Sequence, residues 1–227
     1  MSRSINKIFI RFLRFIFMKN LILLFFVFSF ADCSGKVDPS PKVSYADFLK
    51  QVKIEREKLK GRPIAETREY FFTLIHEKVP AYWNGTPWDF NGVTRTPGQG
   101  QIACGYFITN TLSDLGLGIE RVKLAQAASS ELIKATSVNI FRTGDFQKLK
   151  SYLADQPDRS VFIVGLDFHT GYITTSKGKV YFIHSNYINR AGVMKEEIDQ
   201  SKALKSSKTF MIGNVSANDG LMEKWIR

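Results

Sequence analysis

The hydrophobic positions of this 227-residue chain change period part-way along it. From Tyr45 to Lys60, Phe48, Val52 and Leu59 fall on one helical face of a charged segment, which predicts an amphipathic helix punctuated by Gly61 and Pro63. Phe71, Leu74, Ile75 and Val79 repeat that spacing and predict a second helix from Pro63 to Val79, stopped by Pro80. Trp83 to Gly100 is rich in Gly, Thr and Pro and reads as a loop with aromatic anchors. Ile102 to Leu115 predicts a third helix closed at Gly116, followed by helical segments at 121–135 and at Phe146 to Leu153. Then the period shortens. Val161-Phe162-Ile163-Val164 is an unbroken apolar run, the pattern of a strand covered on both faces. Phe168 to Thr174 and Lys179 to Ser185 read as two strands around a Ser176-Lys177-Gly178 turn, and Phe210 to Gly213 as a last strand. Helices first and strands later predict an α+β fold with an antiparallel sheet.

The N-terminus follows other rules. Leu21 to Phe28 is apolar and follows Met18-Lys19-Asn20, the basic and hydrophobic regions of a secretory signal, too short for a membrane span. Ser29-Phe30-Ala31 fits a small-x-small cleavage site, so residues 1–31 are read as a signal peptide. A second reading makes Cys33 a lipidated first residue behind a bacterial lipobox, from whose pattern Asp32 and Phe30 depart; a third leaves an uncleaved anchor helix. All three imply export, to the periplasm or outer envelope. Residues 32–44, with Gly35, Pro39 and Pro41, read as a tether, and 45–227 as the folded domain.

Composition narrows the function. Hydrophobic residues make up 44% and charged residues 23%, which is globular and not disordered. The net charge is +11, but the first 31 residues hold five bases and no acid, leaving the remainder at +6. No helix-turn-helix, RNA-binding or finger signature accompanies that balance, so nucleic acid is not an expected partner. Two cysteines and three histidines exclude a disulfide framework and a four-cysteine zinc site. No cofactor or metal is expected, membrane contact is expected only through the N-terminus, and the chain is expected to be a monomer.

The few candidate nucleophiles and bases can be taken one by one. Cys104 follows a glycine-rich loop and opens an apolar helix, where unpaired N–H groups and the helix dipole favour a thiolate. Its other reading is a small buried core residue. A hairpin symmetric about Ser176 and Lys177 sets His169 opposite His184, and a register shift of two makes them diagonal neighbours. Either placement lets one imidazole orient the other, as the third member of a catalytic triad orients its base. Two surface histidines, or two metal ligands, are the competing readings, and Asp167 is the nearest carboxylate in sequence. His76, beside Glu77 and Lys78, reads as a solvated surface histidine, and Lys195 to Lys208 as a solvated charged face.

Together these residues resemble a family. Trp83-Asn84-Gly85-Thr86, Ala103-Cys104-Gly105-Tyr106-Phe107-Ile108, His169-Thr170-Gly171-Tyr172-Ile173 and Phe182-Ile183-His184-Ser185 follow the order of the NlpC superfamily of papain-like cell-wall cysteine peptidases. Ile119-Glu120-Arg121, with Gln126 following, is similar to the family's Pro-Arg-Thr…Gln stretch, and the likeness spans about residues 64–190. The resemblance implies a papain-like fold with Cys104 as nucleophile, His169 as general base and then acid, and His184 as the orienting residue. It implies cleavage of an amide bond in peptidoglycan stem peptides through an acyl-enzyme. Tyr82 and Gln101 become candidate oxyanion partners, Trp83 and Tyr106 candidate groove residues, and Arg121 a candidate for a stem-peptide carboxylate. Ala103 and Gly105 stand where the family has Asp and Ser. The same fold also suits an amidase or acyltransferase acting on another substrate, or a non-catalytic envelope binding module.

Overall fold

Ser44 begins the first helix of the computed structural model, which describes residues 43–227; the predicted signal peptide, Cys33 and the tether as far as Lys42 lie outside the described residues. The Ser44 hydroxyl accepts the Asp47 N–H and caps α1 (Tyr45–Lys58). Next, α2 (Ile64–Thr73) buries Thr67, Phe71 and Phe72. The predicted helix to Val79 does not continue unbroken. A π-helical turn at Leu74–Lys78 widens the ladder, and α3 (Val79–Trp83) follows with Pro80 in its first turn. An N–H in a first turn has no intrahelical partner, so proline opens this segment instead of stopping the previous one. The widened turn directs Leu74, Ile75 and His76 inward. His76 is therefore buried and not solvated: its Nδ1 lies 2.8 Å from Thr174 Oγ1, and its ring stacks on Phe72.

After the 84–103 loop come α4 (Cys104–Asp114), α5 (Arg121–Gln126) and α6 (Ser129–Thr136). The helix predicted over 121–135 breaks because Ala127 takes an extended conformation. Then follow β1 (Val138–Thr143), α7 (Phe146–Ala154), β2 (Val161–Gly165), β3 (Thr170–Ser176), β4 (Lys179–Asn186) and β5 (Gly192–Glu197). The chain finishes with α8 (Lys202–Ser206), β6 (Phe210–Asn214) and α9 (Asp219–Ile226). Hydrophobic periodicity did not predict β1, β5 or α9. The supposed solvated face of 195–208 includes the end of β5 and all of α8, whose Ala203 and Leu204 are buried.

The strands form one antiparallel sheet in the order β1-β6-β2-β3-β4-β5, so the fold is α+β as its helix and strand order predicted. Both faces of the sheet are covered. Val161, Ile163, Tyr172 and Ile183 join one core with Phe71, Trp83, Phe107 and Trp225 from the helices. Phe162, Val164, Ile173 and Phe182 alternate to the other face and pack with Leu149, Leu153 and Leu204. This two-sided burial is why 161–164 carries no polar alternation.

The β3–β4 turn sets the register that matters for the site. Its two central residues are Lys177 and Gly178, with φ of 53° and 72°, the left-handed pair of a type I′ hairpin. Tyr172 pairs Ile183 and Ser176 pairs Lys179. The symmetry centre thus lies one residue later than the sequence reading placed it. Continued one step, the register puts His184 opposite Gly171 and leaves His169 diagonal to it. A Cβ on Gly171 would sit 2.8 Å from His184 Cβ and would also strike the Phe182 ring, so only glycine lets the two side chains close over this position.

Candidate active site

Cys104 is the first residue of α4, and Ala103 before it offers no side chain to cap the helix. The first N–H groups are left pointing outward at the sulfur. The entry to the helix is tied down on both sides: Ala103 N–H donates to Gly92 O at 2.8 Å, and the buried Ser185 hydroxyl donates to Ile102 O at 2.7 Å. A Cβ on Gly105 would run into the carbonyl of Ala125, which accounts for glycine at that position: α4 and α5 approach too closely for a side chain.

His169 stands just before β3 and is buried at 5% exposure; His184 on β4 is fully buried. Their rings meet directly, with His169 Nε2 2.7 Å from His184 Nδ1. His184 Nε2 in turn lies 3.1 Å from Glu196 Oε1. Phe182 stacks on His184 with ring centres 4.0 Å apart, and Tyr187 meets His169 edge-on at 5.0 Å, so both rings are clamped by aromatic neighbours.

This chain of contacts assigns the protons. Burial works to raise the Glu196 carboxyl, but hydrogen bonds from His184 and Ser201 outweigh it and hold it below the ordinary carboxylate range. An ionised Glu196 only accepts, so His184 Nε2 carries the proton and its Nδ1 accepts from His169 Nε2–H. His169 Nδ1 is then a bare lone pair. That atom is buried and has no hydrogen-bond partner. His169 and Cys104 together line two adjoining clefts, of about 680 and 650 Å³.

Electrostatics changes one expectation. Burial pushes the Cys104 thiol up from its ordinary value, against the pull of the Thr170, Gly105 and Cys104 N–H groups, so the helix terminus does not produce a resting thiolate. Burial first, and then His184, holds His169 well below the ordinary histidine value. His184 is lowered by burial against the opposing influence of Glu196. The resting site is a neutral thiol and a neutral imidazole lining the same clefts, a pair of groups suited to proton transfer at the moment of attack.

Other predicted site residues are placed elsewhere. Trp83 is fully buried in the core and lines neither cleft. Tyr82 stacks on Phe48 and donates its hydroxyl to Val43 O at 3.2 Å, so it serves α1 and not an oxyanion. Gln101 is exposed and lies outside the walls of both clefts; its carbonyl accepts the Thr94 N–H. The Arg121 guanidinium donates to Asn110 Oδ1 at 2.7 Å, and Asn110 in turn donates to Thr94 O, so Arg121 braces a loop and does not line either cleft. Tyr106 does line the smaller cleft, where its hydroxyl accepts from Gln126 at 3.1 Å. Asp167 is engaged by Lys208 N–H and the Thr209 hydroxyl and does not reach the histidines.

Glu196 is the residue that the sequence reading missed. It lies twelve positions beyond His184 in a charged segment, and only the β4–β5 register, which pairs His184 with Met194, brings it to the same edge. Among the described residues there is no group of three or more His, Cys, Asp or Glu side chains able to hold a metal ion, and no helix long and apolar enough to cross a membrane. Neither a protein-family model nor a curated protein sequence matches the chain.

Proposed function

We propose that this protein is an exported thiol hydrolase of papain-like design that cleaves an amide bond, with peptidoglycan stem peptides as its first candidate substrate. One observation carries the reading: a Glu196–His184–His169 chain ends in an unpartnered, buried Nδ1, on a histidine that lines the same cleft as a thiol at a helix N-terminus. The likeness of residues 64–190 to the NlpC superfamily supports the substrate and the export route.

His169 Nδ1 takes the Cys104 proton as sulfur attacks the carbonyl carbon. The Cys104 N–H, at the first position of α4, donates to the oxygen that becomes negative. The C–N bond breaks, the amine leaves with the proton held by His169, and an S-acyl enzyme remains. Water then attacks the thioester and gives its proton to His169, which returns it to the sulfur as the acid departs. His184 holds the ring in one tautomer throughout and spreads the transient imidazolium charge towards Glu196.

The test is digestion of purified muropeptides, with products identified by mass spectrometry. Wild type should release fragments that Cys104→Ala and His169→Ala do not. Identical products from wild type and Cys104→Ala would end the hydrolase reading.

A further inference from the structure

We infer that the smaller of the two clefts beside Cys104 receives an uncharged apolar group, aromatic or branched aliphatic, carried next to the scissile amide. The inference rests on the hydrolase reading and, within it, favours an amide flanked by an apolar group over the small and charged residues of a stem peptide.

Two observations bear on this cleft. Its walls include Trp88, Phe90, Tyr106, Phe168 and Tyr187 together with Cys104 and His169, and no Asp, Glu, Lys or Arg. Two of those aromatics are left in water, Phe90 at 79% and Phe168 at 96% exposure, and Val93 on the same wall is 54% exposed. Single exposed apolar residues are ordinary, but a contiguous set around a reactive centre is the usual mark of a surface that is covered in use.

The larger cleft differs in chemistry. It shares Cys104, His169 and Phe168 but adds Arg142 and Asp167 to its walls. A substrate lying across the sulfur would therefore place charged parts on the Arg142 side and its apolar group on the Trp88 side. The charge difference between the two walls supplies the direction.

The experiment compares alkylation of Cys104 by N-benzyliodoacetamide and by iodoacetamide, using the full chain and dividing each rate by that of free cysteine. Wild type should prefer the benzyl reagent by about tenfold, the discrimination that an apolar pocket achieves for a group of this size. Phe90→Ser and Phe168→Ser should each shrink that ratio. Val122→Ser, an exposed apolar residue off the cleft, should leave it unchanged. Circular dichroism of each variant separates lost selectivity from lost fold. A ratio near one in folded wild type overturns the inference, whether or not muropeptides are cut. A tenfold ratio with no Cys104-dependent hydrolysis sustains the cleft and sinks the enzyme instead. If the two Phe→Ser variants keep the ratio but lose retention on phosphatidylcholine vesicles, the aromatics are a membrane contact and the inference fails.

Discussion

The Ser185 hydroxyl donates to the carbonyl of Ile102 at 2.7 Å, and this bond joins the strand of the second imidazole to the entry of the helix that carries the thiol. Ser185 follows His184 directly and Ile102 lies two residues before Cys104, so one hydrogen bond sets the spacing of the two halves of the site. Replacing Ser185 by Ala should leave the buried Ile102 carbonyl without this donor, at a cost of about 1–3 kcal/mol. Thermal denaturation should show a drop of about 2–4 °C per kcal/mol. Hydrolysis should fall further than stability alone explains, because sulfur and imidazole lose their common anchor. Unchanged turnover in a folded Ser185→Ala would refute this coupling.

Glu196 should act through His184 and not on the substrate. Glu196→Ala removes the acceptor that fixes both tautomers, and kcat should fall by about tenfold to a hundredfold with KM little changed. Glu196→Gln keeps an acceptor oxygen at the same position and should restore much of the loss. Equal losses in the Ala and Gln variants would mean that the negative charge, and not ring orientation, is what His184 requires.

The neutral resting pair has a kinetic signature. His169 is held below 6.5 by burial and by His184, and the thiol is held above 9.0 by burial. The base is lost only as pH falls through the depressed histidine value, and the neutral thiol only as pH rises through the raised one. The profile of kcat/KM should therefore be level from about pH 6.5 to about pH 9, with its acid limb entirely below that window. An acid limb centred at or above pH 7 would mean that His169 takes a proton near neutrality and would contradict the assignment.

Stability should carry a separate pH dependence through His76. Burial first, and then Lys195 and Arg159, lowers this imidazole from 6.5 to about 4. A lowered value means that the unfolded chain takes the proton before the folded one, so stability is complete above pH 6.5 and is lost as pH falls towards 4. His169 and His184 are lowered too and add to the same slope. His76→Gln keeps a group able to bond Thr174 and removes one titration, so the fall in melting temperature between pH 7 and pH 4.5 should be smaller than in wild type. An equal fall would assign the slope to other groups.

Local pattern determined a good deal of this protein. The amphipathic spacing of Phe48 and Val52, the unbroken run at 161–164 and the Lys177-Gly178 turn each encode their own element, because helix and strand periods are properties of neighbouring residues. Cys104, His169 and His184 were legible for the same reason: few residue types carry such chemistry, and each stood beside an identifiable helix start or strand. What only the tertiary structure decided are relations between distant segments. A centre of symmetry shifted by one residue moved His169 to a diagonal and made Gly171 necessary. The β4–β5 register, invisible in the charged run that hides β5, brought Glu196 to His184. Burial turned His76 inward and raised the thiol that its helix position was expected to lower. It also consumed Trp83, Tyr82 and Arg121 in packing and bracing. Desolvation and strand register depend on everything that surrounds a group, and a one-dimensional pattern records only its neighbours in the chain.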